Sequence, residues 1–483
     1  MSDLERRLRD TLRDPRRERP AWPDPMPRIR RAARRQQARL AASGSAGAAA
    51  AAIAGVAIVI SLAAPAPPRV LHHGPPPGTA CAASPHAGLG SVVYVSGKSL
   101  REVDLGTRTS RVLVRDGGSA IASQAPAYSH DGRWVAFGNA SVVPSSGGPV
   151  TSILGRTRVY SWAWSATNDV LAAVTSRRGV DVGGPRLSPR PVLPPGWGAT
   201  GAAFSPCTQT LAVSRYPYVN SFAQRRRADK GIWVIDQRSG RAREVYKVPG
   251  GMDLAPQLAG WSPDGRWILF QLDPGSSASI GADGLPLEAV PAANRARPVR
   301  VVPIELAQPL AWCDNTLVQS AGELRYTFQG KHLTATQAPN WRATAITHAP
   351  RLGWMLPTCS AGGRWIAATV APSSAKGYLT SFSQPAELWL LRPGGSRPHV
   401  LIGDDGGRYH LTPLGWTRGS RWLLVQRLQV KPTIGPAELL LALVNEGGHL
   451  VKLSGPVATA PLSPATAPLL DGQLVLPYGW YRP

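Results

Sequence analysis

The sequence predicts an all-β protein, a β-propeller of seven to eight four-stranded blades preceded by a single transmembrane helix. Three observations carry this reading. A short frame running from an aromatic residue to a tryptophan recurs with fixed internal spacing, and "GWSPDGRWILF" at 260–270 is its fullest form. The stretches after each copy alternate turn residues with β-branched, aromatic and leucine-rich runs and offer no convincing helix. One apolar run, free of charge from Arg39 to Arg69, stands apart from everything that follows.

Taken in order, residues 1–40 form a basic tail, with thirteen arginines against six acids supplying +7 of the formal charge of +25. Within it "SDLERRLRD" has the form of a capping box, Ser2 capping and Glu5 reaching back. Leu4, Leu8 and Leu12 then share one face and Pro15 ends the run. Such a segment serves either as a short amphipathic helix on a partner or on anionic lipid, or as a solvated basic tail, since an isolated helix of this length is marginal in water. Nucleic acid is excluded as a partner class because no aromatic platform or known motif accompanies the arginines.

Residues 41–64 are expected to cross the membrane, because "AGAAAAAIAGVAIVISLAA" spans a bilayer at about 1.5 Å per residue. The arginines flank one side only, which places the N-terminus in the cytoplasm and the rest outside. A cleaved signal peptide is the rival reading, as "SLAAPA" ends in small residues, but the forty-residue lead is far longer than a usual n-region. Residues 65–89 read as a proline-rich spacer holding residues 90–483, the extracytoplasmic propeller, off the membrane. Arginine is preferred to lysine throughout, as a high-GC bacterial genome would encode.

Within the propeller the frame returns as "YSHDGRW" from Tyr128, "CSAGGRW" from Cys359 and "WTRGSRW" from Trp416, with tryptophan six positions on each time. Looser copies begin at Trp164, Phe204 and Trp312. Seven copies, 36 to 57 residues apart, describe a repeat whose units cannot bury their apolar faces alone. In the fullest copy Pro263 presets φ, Asp264 accepts backbone amide hydrogen bonds and Gly265 takes the positive φ, so Ser262 to Gly265 turn one strand into the next. Asp131 and Gly132 hold the same places in the first copy. The run from Ser91 supplies three strands before the first copy and the C-terminus supplies one or two after the last. Pairing of the two ends into a shared blade would leave no open edge. Seven turns plus one shared blade give eight, or seven if the weak copy at Trp312 belongs to a neighbour.

The residues Trp261, Ser262, Pro263, Asp264 and Gly265 resemble the hallmark turn of the TolB-type propeller repeats, and the other six copies match it in part. The resemblance spans roughly residues 90–480. It implies that Tyr128, Trp164, Phe204, Trp261, Trp312 and Trp416 pack between blades, and that the Asp-Gly turn is structural.

Little in the sequence reads as chemistry. Cys81, Cys207, Cys313 and Cys359 lack zinc-ligand spacing, and the nine histidines are scattered, so neither metal nor cofactor is expected. There is no GxSxG elbow, Walker loop or strand-following GxGxxG. Cys313 and Cys359 fall on the first strands of successive copies, which leaves two readings: a disulfide between blades, or two small buried residues. The chain is therefore expected not to be an enzyme. It is read as a membrane-tethered, monomeric scaffold binding a protein or an anionic envelope polymer, or alternatively as a sensor coupling ligand capture outside to the cytoplasmic tail. Subtracting the tail's +7 from +25 leaves about +18 on the remainder, a balance that favours acidic partners.

Overall fold

The chain divides after Gly74 into two units. The structure, a computed structural model, describes residues 90–482 of the second unit except 97, 116–125, 178, 218–221, 275–284, 306–309, 322–329, 348–350, 374–383, 394–397, 418–419, 431–436, 444–448 and 458–480. The expected tail, transmembrane helix and spacer (1–89) lie outside the described residues. Among those described, no helix is long and apolar enough to cross a membrane.

Every described sheet is antiparallel, and together they make eight blades of four strands. Blade 1 is built from both ends of the chain: Ser91–Ser96, Ser99–Asp104 and Ser110–Val114 follow one another, and Tyr481–Arg482 adds on beside Ser91–Ser96. The register there sets Ser91 against Arg482 and Val92 against Tyr481. Blades 2 to 5 begin with the strands Ala127–Tyr128, Val159–Trp164, Ala199–Phe204 and Leu254–Trp261. Blades 6 to 8 begin with Ala311–Cys313, Leu352–Cys359 and Tyr409–Trp416. Each first strand thus ends on its copy of the repeated frame. Blades 5 and 6 are joined into one sheet by a single pair, Glu305 with Ala321. One short helix, α1 (Phe222–Arg227), which the sequence reading did not anticipate, fills the connection between the second and third strands of blade 4.

Among the described residues the core is divided into layers, one at each junction from blades 1 and 2 to blades 7 and 8. Val93, Leu100, Tyr128 and Val135 pack blade 1 on blade 2. Ala136, Val142, Trp164 and Leu171 do so for blades 2 and 3, and Ala212, Ile232, Trp261 and Ile268 for blades 4 and 5. Arg108 of blade 1 lies over the Trp422 ring of blade 8, with its guanidinium carbon 5.2 Å from the centroid. Because both faces of a middle strand meet a neighbour, such strands read as continuous apolar runs: all of Leu171–Thr175 is buried.

The repeated turn follows from a small set of hydrogen bonds. In the fullest copy the Ser262 amide donates to the Trp267 carbonyl at 2.9 Å, the Ser262 hydroxyl accepts from the Trp267 amide at 2.9 Å, and the Gly265 amide returns to the Ser262 carbonyl at 2.9 Å. That return needs a left-handed residue, and Gly265 supplies it at φ 66°. Asp264 accepts from the Ser262 hydroxyl at 2.5 Å and from the Arg266 amide at 3.1 Å. The same serine or threonine oxygen holds the tryptophan amide in three other copies, Ser129 to Trp134, Ser360 to Trp365 and Thr417 to Trp422.

The turn of blade 6 departs from this pattern. Trp312 pairs with Leu317, five residues on, whereas Trp261 pairs with Ile268, seven on. Asp314 takes a positive φ of 54° in the shortened turn. Trp312 is only half-buried, and Cys313 is the residue that enters the layer between blades 6 and 7. There it forms a disulfide with Cys359, their Cα atoms 5.2 Å apart.

Three outcomes are expected. Trp261→Phe, which keeps an aromatic ring but deletes the pyrrole part of the indole and the N–H bonded to the Ala203 carbonyl at 3.0 Å, should lower unfolding free energy in urea by about 1–3 kcal/mol. Mass spectrometry of unreduced peptides should recover Cys313 linked to Cys359, and Cys359→Ser should destabilise by about 2–4 kcal/mol through the closed loop it releases. The third concerns acid. His410 is 2% exposed in blade 8, and burial pushes its imidazole down to about 4, against the smaller upward pull of its hydrogen bond to the Gln384 carbonyl. The unfolded chain takes up that proton near pH 6.5, so stability present above this pH is lost as pH falls from 6.5 towards 4, by up to about 1.4 kcal/mol per pH unit. His410→Gln should flatten that slope in urea titrations run at neutral and mildly acidic pH.

Candidate functional site

A blade of this kind presents two sets of connections. The repeated turns join first to second strands and, with the third-to-fourth connections, make one face. The second-to-third connections and the links between blades make the other.

On the turn face, the residues picked out by the sequence serve the junctions between blades. Trp164 Nε1 donates to the Ala127 carbonyl at 3.0 Å, Trp261 Nε1 to Ala203 at 3.0 Å and Trp416 Nε1 to Thr358 at 3.3 Å. Each acceptor lies one residue before the leading residue of the preceding copy, Tyr128, Phe204 and Cys359 respectively. Tyr128 instead donates its hydroxyl to the buried Glu102 of blade 1 at 2.7 Å. Phe204 is buried but has no polar atom to donate, and Trp312 stacks edge-on to Trp341 with centroids 6.4 Å apart. Gly265 sits so close to blade 4 that a Cβ there would meet Ser205 Oγ at 2.9 Å and Cys207 Sγ at 3.0 Å. The buried Pro263 completes that turn.

Asp131 and Asp169 bring two of these turns together: the Asp131 amide donates to Asp169 Oδ1 at 3.3 Å. Partial burial pushes both carboxyls up. For Asp131, hydrogen bonds from the Arg133 amide and the Ser129 hydroxyl outweigh it and hold the group below the usual carboxylate range, while Asp169 stays above it. Their turn bonds account for both residues. Gly132 repeats the left-handed return at φ 70°.

The other face carries a cluster that linear motifs could not reveal. The connection after Thr210–Arg215, which contains α1, is anchored at its far end by Lys230, whose side chain is 2% exposed. Its ammonium donates to the Met252 carbonyl at 2.5 Å and lies 3.7 Å from Asp253 Oδ1, which also accepts the Tyr216 hydroxyl at 2.6 Å. Beside it Asp229 is shared by Arg215 at 2.6 Å and Lys247 at 3.3 Å. The Arg215 guanidinium stacks on Trp197, 4.7 Å from the ring centroid, and Trp197 meets Trp233 edge-on at 5.6 Å. Arg226 of α1 bonds the Gly251 carbonyl through Nε, which ties the helix to the link between blades 4 and 5. Arg226, Arg227 and the 44%-exposed Met252 are left at the surface. Burying a lysine and a carboxylate is costly unless they are paired and hydrogen-bonded, and here the cost is met by holding one loop in one shape. Chemically, the arrangement offers cations and aromatic edges on a fixed support, suited to anionic groups.

The first strands tell the opposite story. None of those of blades 2 to 8 contains an aspartate or glutamate, and among the described residues no group of three His, Cys, Asp or Glu side chains could hold a metal ion.

No protein-family model matches the chain, and no curated protein is similar to it. Solved structures are. A prolyl endopeptidase structure is 13% identical over 62% of this chain and 43% of its own, with a TM-score of 0.41. A puromycin hydrolase complex is 14% identical over 80% and 56%, with a TM-score of 0.43. A putative TolB from Agrobacterium tumefaciens is 14% identical over 66% and 91%, with a TM-score of 0.30. The chain spans about half the length of those peptidases. At such identities and scores the likenesses assign no activity to it, and the propeller rests on its own eight blades. They do correct the expectation that the chain is not an enzyme, since peptidases stand among the structures it resembles. That expectation leaned on missing linear motifs, whereas active sites are assembled from residues far apart in sequence.

Proposed function

We propose that the chain is a membrane-tethered, extracytoplasmic β-propeller that binds an acidic protein or anionic envelope polymer through the α1 face of blades 4 and 5. The observation that carries this is the anchored loop. Lys230, Asp253 and Tyr216 are committed to fixing a connection that the blade itself does not need, and that connection presents Arg226 and Arg227 to solvent. The formal charge of about +18 that remains outside the tail, +25 less the tail's +7, supplies a wider field of the same sign, which steers anionic partners at low ionic strength and is screened by salt. The charge-free run from Arg39 to Arg69, with its arginines on one side, supports tethering with the propeller outside.

One experiment tests both parts. Spheroplasts carrying the full chain and incubated with fluorescent polyglutamate, which does not cross membranes, are expected to capture it at low ionic strength and release it in raised salt. Reversing one exposed charge of α1, Arg227→Glu, should weaken capture several-fold while leaving the near-ultraviolet circular dichroism of the solubilised protein unchanged. Capture that needs prior permeabilisation of the membrane would reverse the orientation. Equal retention at both salt concentrations would overturn the electrostatic reading.

A further inference from the structure

The layer between blades 5 and 6 gathers three buried polar atoms that no protein atom satisfies. In blade 6, Leu317 pairs with Thr336 and Gln319 with Thr334, and cross-strand partners share a face, as do residues two apart on one strand. All four side chains therefore point the same way. Leu317 packs with Leu269, Leu287, Ala289, Val301 and Val302 of blade 5 and with Trp341, so this face is the one turned towards blade 5. Thr334, Thr336 and Trp341 are 4%, 1% and 2% exposed. Yet Thr334 Oγ1, Thr336 Oγ1 and Trp341 Nε1 make no hydrogen bond within the protein. Hydroxyls on blades 6 and 7 that face other junctions or loops are satisfied: Ser320 Oγ donates to the Trp354 carbonyl at 2.6 Å, Thr369 Oγ1 to the Leu411 carbonyl at 2.8 Å, and Thr347 Oγ1 accepts from the Leu333 amide at 3.0 Å.

We propose that the junction of blades 5 and 6 is a hydrated seam, a binding site for water molecules that hydrogen-bond the Thr334 and Thr336 hydroxyls and the Trp341 indole. Buried polar groups in folded proteins almost always find a partner, and internal water is the usual one when protein atoms do not serve. The donor and acceptor pattern fits: an indole N–H only donates, a threonine hydroxyl does both, and water complements each. Two residues apart on an extended strand, the threonines are about 7 Å apart, a gap that a file of two waters closes at about 2.8 Å per bond. Trp267 and Trp312, edge-on to Trp341 with centroids at 5.6 and 6.4 Å, wall the seam with apolar surface.

Thermal unfolding of the detergent-solubilised full chain tests the sign. Thr334→Val and Thr336→Val, which swap a hydroxyl for a methyl at constant shape, should each lower the Tm by about 1–3 °C, as should Thr369→Val, which removes a hydroxyl bonded within the protein. In a dry seam the first two would instead raise the Tm, because each would delete an unsatisfied polar atom, and that result overturns the proposal. Hydroxyl-radical footprinting of the wild-type protein is independent of any variant. Water bound at the seam should lead to oxidation of Trp341 in the native state despite its burial, and complete protection of Trp341 would equally overturn the inference.

Discussion

The arrangement of the blades hangs on one contact: an indole N–H from one repeat donated to a backbone carbonyl of the repeat before it. Blades share little backbone ladder; among the described residues their backbones meet only at isolated points such as Glu305 with Ala321, Ala386 with His410 and the Trp354 amide with the Lys331 carbonyl. Apolar layers hold them together, but apolar contact is non-directional and tolerates sliding. A hydrogen bond from Trp164, Trp261 or Trp416 to a carbonyl at one fixed register does not. Where the leading residue cannot donate an indole N–H, other chemistry takes the place. Tyr128 reaches a carboxylate with its hydroxyl, and Cys359 bonds covalently to Cys313. The cysteine pair thus stands where an indole bond would, and it coincides with the blade whose turn is two residues shorter.

The turn and the indole bond depend on each other. The serine or threonine after the aromatic holds the amide of the tryptophan that opens the second strand, which fixes the hairpin. The hairpin fixes where the aromatic ring enters the junction. Gly265 shows the tolerance of this arrangement, since a single methyl group there would press on Ser205 and Cys207 of the neighbouring turn. Glycine is required there twice over, by its φ of 66° and by the proximity of the next blade.

Charge is handled differently on the two faces. On the turn face carboxylates are absorbed by local amides, as Asp131 and Asp264 are, and offer little to a partner. On the α1 face the buried Lys230 and Asp253 secure a loop whose arginines are exposed. A rigid scaffold carrying variable connections is the usual division of labour between strands and loops.

Much of the fold was legible in the sequence because its determinants are local. A turn of four to seven residues encodes itself through proline, aspartate and glycine, and its sevenfold repetition announced a propeller with seven or eight blades before any contact was known. The three strand-like runs after Ser91 likewise pointed to a blade completed from the far end, which Tyr481–Arg482 supplies. What tertiary structure alone decided are matters of distance between repeats. Nothing in the order of residues set Tyr216 beside Asp253, 37 positions away, or told that Cys313 and not Trp312 would enter the layer against blade 7. The α1 face escaped the sequence for the same reason: its residues carry no spacing pattern, because they come from separate connections that meet only when the blades close. Periodicity records what each repeat needs in order to fold, whereas a site built between connections leaves no period to read.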